Sequence, residues 1–136
     1  MQLDDTLIIA ASGLKAENAR LRVVAENIAN ADSTGRSPQE LPYRRKEVIF
    51  RNVLDRSLGA ETVQVSGPVQ DTSPFNKKYA PYHPAADAQG YVLMPNVSTI
   101  MEMADMRESR RAYEANLNVV DVTRSMLQRT ISILQA

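Results

Sequence analysis

All seven prolines of this 136-residue chain lie between Pro38 and Pro95, so both ends are free to be helical and the middle is not. From Asp4 to about Asp32 the only glycine is Gly13. Over that stretch Leu7, Leu14, Leu21 and Ile28 recur every seven residues, with Val24 and Ala31 three places after the last two. That is a heptad stripe, broken in its second row by Glu17. Asp4 and Asp5 suit an N-cap and first turn, where acids complement the helix dipole, and Gly35 follows the expected end.

The C-terminal third gives the stronger helical pattern. Thr99 and Glu102 have capping-box spacing, and no Gly or Pro follows before Ala136. Steps of three and four from Met103 pass through Met106, Arg110, Tyr113, Leu117, Val120, Arg124, Leu127, Ile131 and Leu134. Only Arg110 and Arg124 in that row are polar. A guanidinium buried there needs a carboxylate or carbonyl and would fix register; one at the edge of the stripe snorkels to water. Both readings stay open. Met101, Met103, Met106 and Met126 read as adaptable packing, suited to unlike neighbours as well as to an ordinary core.

The middle reads as short strands and turns. Glu47–Val53 and Glu61–Val65 are rich in β-formers, and Gly90–Met94 follows a turn-prone Ala86-Asp-Ala-Gln. The expectation is a small two- or three-stranded element flanked by two extended loops, Ser33–Pro42 and Asp71–Pro84. The chain thus divides into an N-terminal helix (1–33), a loop-and-strand region (34–97) and a C-terminal helix (98–136).

Length turns this division into a statement about assembly. A helix from Thr99 to Leu134 measures roughly 54 Å at 1.5 Å per residue, whereas a compact domain of this size has a diameter near ~37 Å. The helix must protrude. The N-terminal helix, about 40 Å long, covers part of its stripe by antiparallel pairing, and the remainder needs another chain.

Composition excludes several function classes. Lys and Arg total 16 and Asp and Glu total 16, so no global field attracts nucleic acid or an anionic membrane. Aromatics are 5%, too few to line a large pocket, and the absence of cysteine excludes disulfides and thiolate chemistry. Met1-Gln-Leu-Asp-Asp is acidic where a secretory leader is basic, so no cleaved signal peptide is expected. The longest uncharged stretch, Ala88–Met101, contains Gly90 and Pro95 and is too short to span a bilayer.

Catalytic and metal chemistry has little to work with. His83 is the only histidine, which rules out a histidine pair on a metal, and it reads as a loop residue making a structural hydrogen bond. The Asp4-Asp5 pair reads as capping rather than acid–base machinery, and five scattered glycines write no phosphate loop. Arg44-Arg-Lys46, Lys77-Lys78 and Arg107/Arg110/Arg111 are interleaved with Glu40, Glu47, Asp105, Glu108 and Glu114, which favours a solvated or interface face over phosphate binding. No enzyme, cofactor or metal is expected.

Particular strings point to a family. Asn27-Ile-Ala-Asn-Ala-Asp-Ser-Thr-Gly35 resembles the signature of the bacterial flagellar rod, hook and hook-associated axial proteins, with Asn27, Asn30, Ala31 and Asp32 carrying it. Pro42-Tyr-Arg-Arg-Lys46, Asp71-Thr-Ser-Pro74, Tyr79-Ala-Pro-Tyr-His-Pro-Ala-Ala-Asp87, Gly90-Tyr-Val, Pro95-Asn-Val97 and Ser109-Arg-Arg-Ala-Tyr-Glu-Ala-Asn116 look like the C-type proximal rod subgroup. The match covers nearly the whole chain and is weakest from Val53 to Val69.

The resemblance implies an architecture and a mechanical role. The fold it implies is mainly α with a small β or extended middle: the terminal helices pair as an antiparallel coiled coil and assemble into a helical tube around an export channel. Asn27 and Asn30 would end the first helix and bond backbone at the turn. Leu7, Leu14, Leu21, Val24 and Ile28, with Arg110, Tyr113, Leu117, Val120, Arg124, Leu127, Ile131 and Leu134, would carry assembly. Pro42, Tyr43, Arg44, Tyr79, Pro81, His83 and Pro84 would brace neighbours through the loops. Implied partners are further copies, other proximal rod subunits, the distal rod, the rotor-base adaptor at the membrane ring and the flagellar type III export apparatus. Neither nucleic acid nor membrane insertion is implied. The alternative is a free-standing coiled-coil adaptor.

Overall fold

In a computed structural model, residues 3–135 are described. Two helices, α1 (Leu3–Ala29) and α2 (Thr99–Gln135), bracket four strands: β1 (Lys46–Asp55), β2 (Ala60–Gln70), β3 (Asn76–Tyr79) and β4 (Tyr91–Met94). The helices fall where the proline-free ends place them. At 1.5 Å per residue the 37 residues of α2 span about 55 Å.

α1 and α2 pack side by side in opposite directions. Asn27 meets Glu102, Arg20 reaches Asp105, and Gly13 lies against Asn116, so partners on one helix rise as those on the other fall. A Cβ on Gly13 would stand 2.8 Å from the Asn116 amide nitrogen, so a side chain there would displace the Asn116 amide. Ala10, Ala16, Val23 and Val24 are buried along α1.

β1 and β2 form an antiparallel hairpin, Lys46 opposite Gln70 and Asp55 opposite Ala60, with a bulge between Glu47 and Ile49. Its turn closes with Gly59 N–H donating to Asp55 O and the Asp55 carboxylate accepting from Ser57. The hairpin rests on α1, where Ser12 Oγ accepts from Val63 N.

The middle differs from its sequence expectation in one respect. Instead of one element of two or three strands there are two separate two-stranded sheets, because Asn76–Tyr79, inside the segment expected to be loop, pairs antiparallel with β4. All four residues of β3 are exposed, so no apolar alternation marks the strand. The Tyr79 and Tyr91 rings meet edge to face at 5.3 Å across this pair.

Candidate functional site

Two features stand out: a buried polar junction where α1, β1 and the start of α2 meet, and the long faces of the helix pair. Asn27 anchors the junction and is fully buried. Its Oδ1 accepts from Lys46 N at 3.0 Å and Tyr43 Oη at 2.9 Å, while Nδ2 donates to Lys46 O at 2.8 Å and to Glu102 Oε2 at 3.0 Å. The expectation that Asn27 ends α1 is corrected. The helix continues to Ala29, and the amide is spent on strand backbone nineteen residues away. Asn30 does sit at the helix end, donating to Glu26 O and accepting from Ser33 Oγ.

Glu102 is corrected likewise. Helix α2 begins at Thr99, with Glu102 N–H donating to Ser98 O, so Thr99 and Glu102 make no capping box. The Glu102 side chain is fully buried and accepts from Asn27 and from Arg45 Nε. Arg45 also pairs with Glu47, Asp71 and Asp105. Burial works against its charge, but the hydrogen bonds to Glu102 and Glu47 prevail and hold the guanidinium above its ordinary range. Burial, with Glu26 and Glu102 nearby, pushes the Tyr43 hydroxyl up to about 12.

The surrounding loops are tied to the same junction. Arg44 donates to the carbonyls of Asp71 and Ser73 and lies 4.1 Å over the Phe75 ring, and Lys46 pairs with Glu26. Arg45 N donates to Asn96 Oδ1, whose amide reaches Asp71 O and Ser73. The Arg44-Arg-Lys46 cations are therefore engaged within the chain rather than arrayed for phosphates. Pro42 is buried, Tyr43 and Arg44 are half-buried, and Tyr79, Pro81 and Pro84 are exposed. Half-buried His83 accepts from Ala85 N at Nδ1, and its Nε2 lies 3.4 Å from Thr34 Oγ1, joining the two proline-containing loops. Among the described residues no group of three or more His, Asp or Glu side chains is placed to hold a metal.

Along the helix pair the seam is small and polar. Glu102, Ser109, Asn116 and Thr123 recur every seven residues on α2, and three of them, Glu102, Ser109 and Thr123, are buried. From α1, Asn27 meets Glu102, Gly13 lies against Asn116 and Thr6 lines one groove with Thr123, while Arg20 reaches Asp105. The Ser109 Oγ and one oxygen of Glu17 are buried with no hydrogen-bond partner among the described residues.

The apolar stripe expected on α2 lies beside this seam rather than in it. Tyr113, Val120 and Leu127 flank it half-buried, while Leu117, Ile131 and Leu134 are exposed, as are Arg110 and Arg124. Both arginines thus lie outside the intramolecular contact. On α1, Val24 is buried and Leu7, Leu14, Leu21 and Ile28 are half-buried; in the turn that follows, Ala31 is half-buried and Asp32 is exposed. A second exposed row, Met101, Val119, Val122, Met126 and Ile133, lies off the face that starts at Met103, and of its members only Met101 and Met126 stand out in the sequence. No helix of the described residues is long and apolar enough to cross a membrane.

Comparison with known proteins accounts for this arrangement. Residues 7–35 match the family model described as flagella basal body rod protein, and residues 88–133 match that of the flagellar basal body rod FlgEFG protein C-terminal. The flagellar basal-body rod protein FlgC of Agrobacterium fabrum is 51% identical, covering 94% of this chain and 92% of its own length. That of Salmonella typhimurium is 41% identical over 99% of this chain and all of its own. The Borreliella burgdorferi protein of the same name is 38% identical over 99% of each. The chain belongs to the flagellar basal-body rod protein FlgC family, whose members are structural rod subunits and not enzymes.

Proposed function

We propose that this chain is a proximal-rod subunit whose terminal segments, residues 1–33 and 98–136, form the inner layer of a hollow drive shaft, with residues 34–97 outside. The shaft transmits torque across the periplasm from the rotor base towards the hook and houses the export channel. The single observation that supports this most is the polarity of α2: the residues it buries are Glu102, Ser109 and Thr123, while Leu117, Val119, Val122, Met126, Ile131, Ile133 and Leu134 are exposed. Such side chains gain on the order of 1–2 kcal/mol each when covered. Together they favour burial in an assembly over exposure in solution.

The partners follow from the same reading: further copies, the other proximal rod proteins, the distal rod and the adaptor at the membrane ring. The protein is made in the cytoplasm and passes through the flagellar type III export apparatus. The proline-containing loops around Pro42, Tyr43 and Arg44 and around Tyr79, Pro81, His83 and Pro84 brace adjacent subunits. Leu127→Asp, at the edge of the seam, tests the reading directly. Expression is expected to persist while the chain is lost from purified basal bodies and swimming stops; normal motility would overturn the proposal.

A further inference from the structure

One side chain joins the loop between β3 and β4 to the turn that follows α1. His83, the only histidine of the chain, is half-buried and makes one contact from each ring nitrogen. Ala85 N donates to Nδ1 at 3.1 Å, so Nδ1 carries a lone pair and the proton of the neutral ring resides on Nε2. Nε2 lies 3.4 Å from Thr34 Oγ1, and with the proton there it is the donor. The ring therefore bridges two segments forty-nine residues apart, and it does so in one protonation state and one tautomer.

A proton added to Nδ1 would face the Ala85 amide hydrogen, donor against donor. The backbone leaves little room for that amide to turn away. Ala85 is buried, and the turn around it is fixed by His83 N donating to Ala80 O and Ala86 N donating to His83 O. The ring is the part that can move, because it borders a cavity of about 300 Å³ that it shares with Asp32, Thr34, Lys78, Ala80, Val92 and Met94. The charged side chains around that cavity are Asp32, from the turn after α1, and Lys78, from β3, while β4 presents only Val92 and Met94. Within the loop itself, Asp87 is engaged with the amides of Gln89 and Tyr91.

We propose that His83 is a proton-operated latch. The neutral ring ties the 80–90 loop to the turn after α1. Uptake of one proton from water at Nδ1 breaks the bond from Ala85 N and, as the ring swings into the cavity, the contact with Thr34. The two segments then separate, and Ala85 and Val92, buried in the closed form, meet water. These are loops that the rod-subunit reading assigns to bracing, but the latch rests on the geometry of the chain itself and stands or falls apart from that reading.

The purified full chain tests it by a pH titration. Nitrogen NMR of the single imidazole is expected to show the Nε2–H tautomer in the neutral ring. Across the titration that the imidazole itself reports, hydrogen exchange at Ala85 N, expressed relative to an unstructured amide, should speed up at least roughly tenfold. Lys46 N, held by Asn27, should keep its protection over the same interval. His83→Asn, whose Oδ1 accepts from Ala85 N but does not titrate, is expected to remove the pH dependence. An Nδ1–H tautomer in the neutral ring overturns the latch, as does unchanged exchange at Ala85 N across the titration. Loss of protection at Lys46 N in step with Ala85 N marks opening of the whole chain and overturns it too. Both wild-type measurements decide the question even where the Asn variant fails to hold the loop.

Discussion

Asn27 grips the backbone of Lys46 from both sides, its Oδ1 accepting from Lys46 N and its Nδ2 donating to Lys46 O. One helical side chain thereby fixes where the hairpin starts. Asn27→Ala strands the Lys46 amide, the Tyr43 hydroxyl and a buried Glu102 oxygen, at a cost of roughly 3 kcal/mol for several lost partners. Asn27→Asp is expected to be worse, because it sets a second carboxylate against Glu102. Urea midpoints of the purified chain rank the two; an Asp variant as stable as the Ala variant would contradict the argument.

Arg45 and Glu102 form the charged core of the same junction. Arg45→Met leaves a fully buried carboxylate with Asn27 alone, for which about 3–5 kcal/mol is the expected loss. Adding Glu102→Gln should recover part of it, so the double variant costs less than the two singles together. Arg45→Lys should not substitute, since an ammonium cannot serve Glu102, Glu47 and Asp71 from one planar fork. Strict additivity in the double-mutant cycle would rule out coupling.

Tyr43 gives the junction an alkaline limit. Its hydroxyl is held at about 12 in the folded chain against 10.0 for an unperturbed tyrosine. As pH rises through that interval the unfolded chain gives up its proton first, so the unfolded state binds fewer protons and stability falls. The contribution is complete below pH 10 and is lost by about pH 12. Tyr43→Phe should flatten this limb of a stability-against-pH curve while lowering stability at neutral pH through the lost bond to Asn27; an unchanged alkaline slope would refute the assignment.

Gly35 has no room for a side chain, since an added Cβ would run into the carbonyl of Glu40. Gly35→Ala should force the 33–42 loop to rearrange, costing about 1–3 kcal/mol. Hydrogen exchange at Arg36 N, which donates to Glu40 at 2.8 Å, reports it. Protection retained at that amide would show the loop absorbing the methyl group.

Exchange also separates the two ends of α2 in the dilute protein. Amides near Glu102, locked at the junction, should exchange slowly, while those of 128–135 should exchange fast and become protected only in purified basal bodies. Equal protection along α2 in the dilute chain would mean that residues 128–135 already have a partner.

The two helices were legible because proline placement and seven-residue spacing act locally. The junction was not. Arg45 and Glu102 are fifty-seven residues apart, and each has a plausible local role, one in a basic cluster and the other in a cap, that hides its partner. The seam was hidden for a different reason. Hydrophobicity marks surfaces that must eventually be covered, by the same chain or another, whereas Ser109 is inside because it is small and Glu102 and Thr123 because they are individually bonded. β3 gave no signal, since an exposed strand such as Asn76-Lys-Lys-Tyr needs no apolar alternation.

Asn27, Arg45 and Glu102 come from three separate stretches, and the last of them follows β4. A chain synthesised from its N-terminus onward therefore cannot complete the lock until its final third is made. Until then, Asn27 Nδ2 and Arg45 Nε lack the Glu102 carboxylate. The order of residues along the polypeptide thus doubles as a timer, since the part that completes the lock is the last to be made.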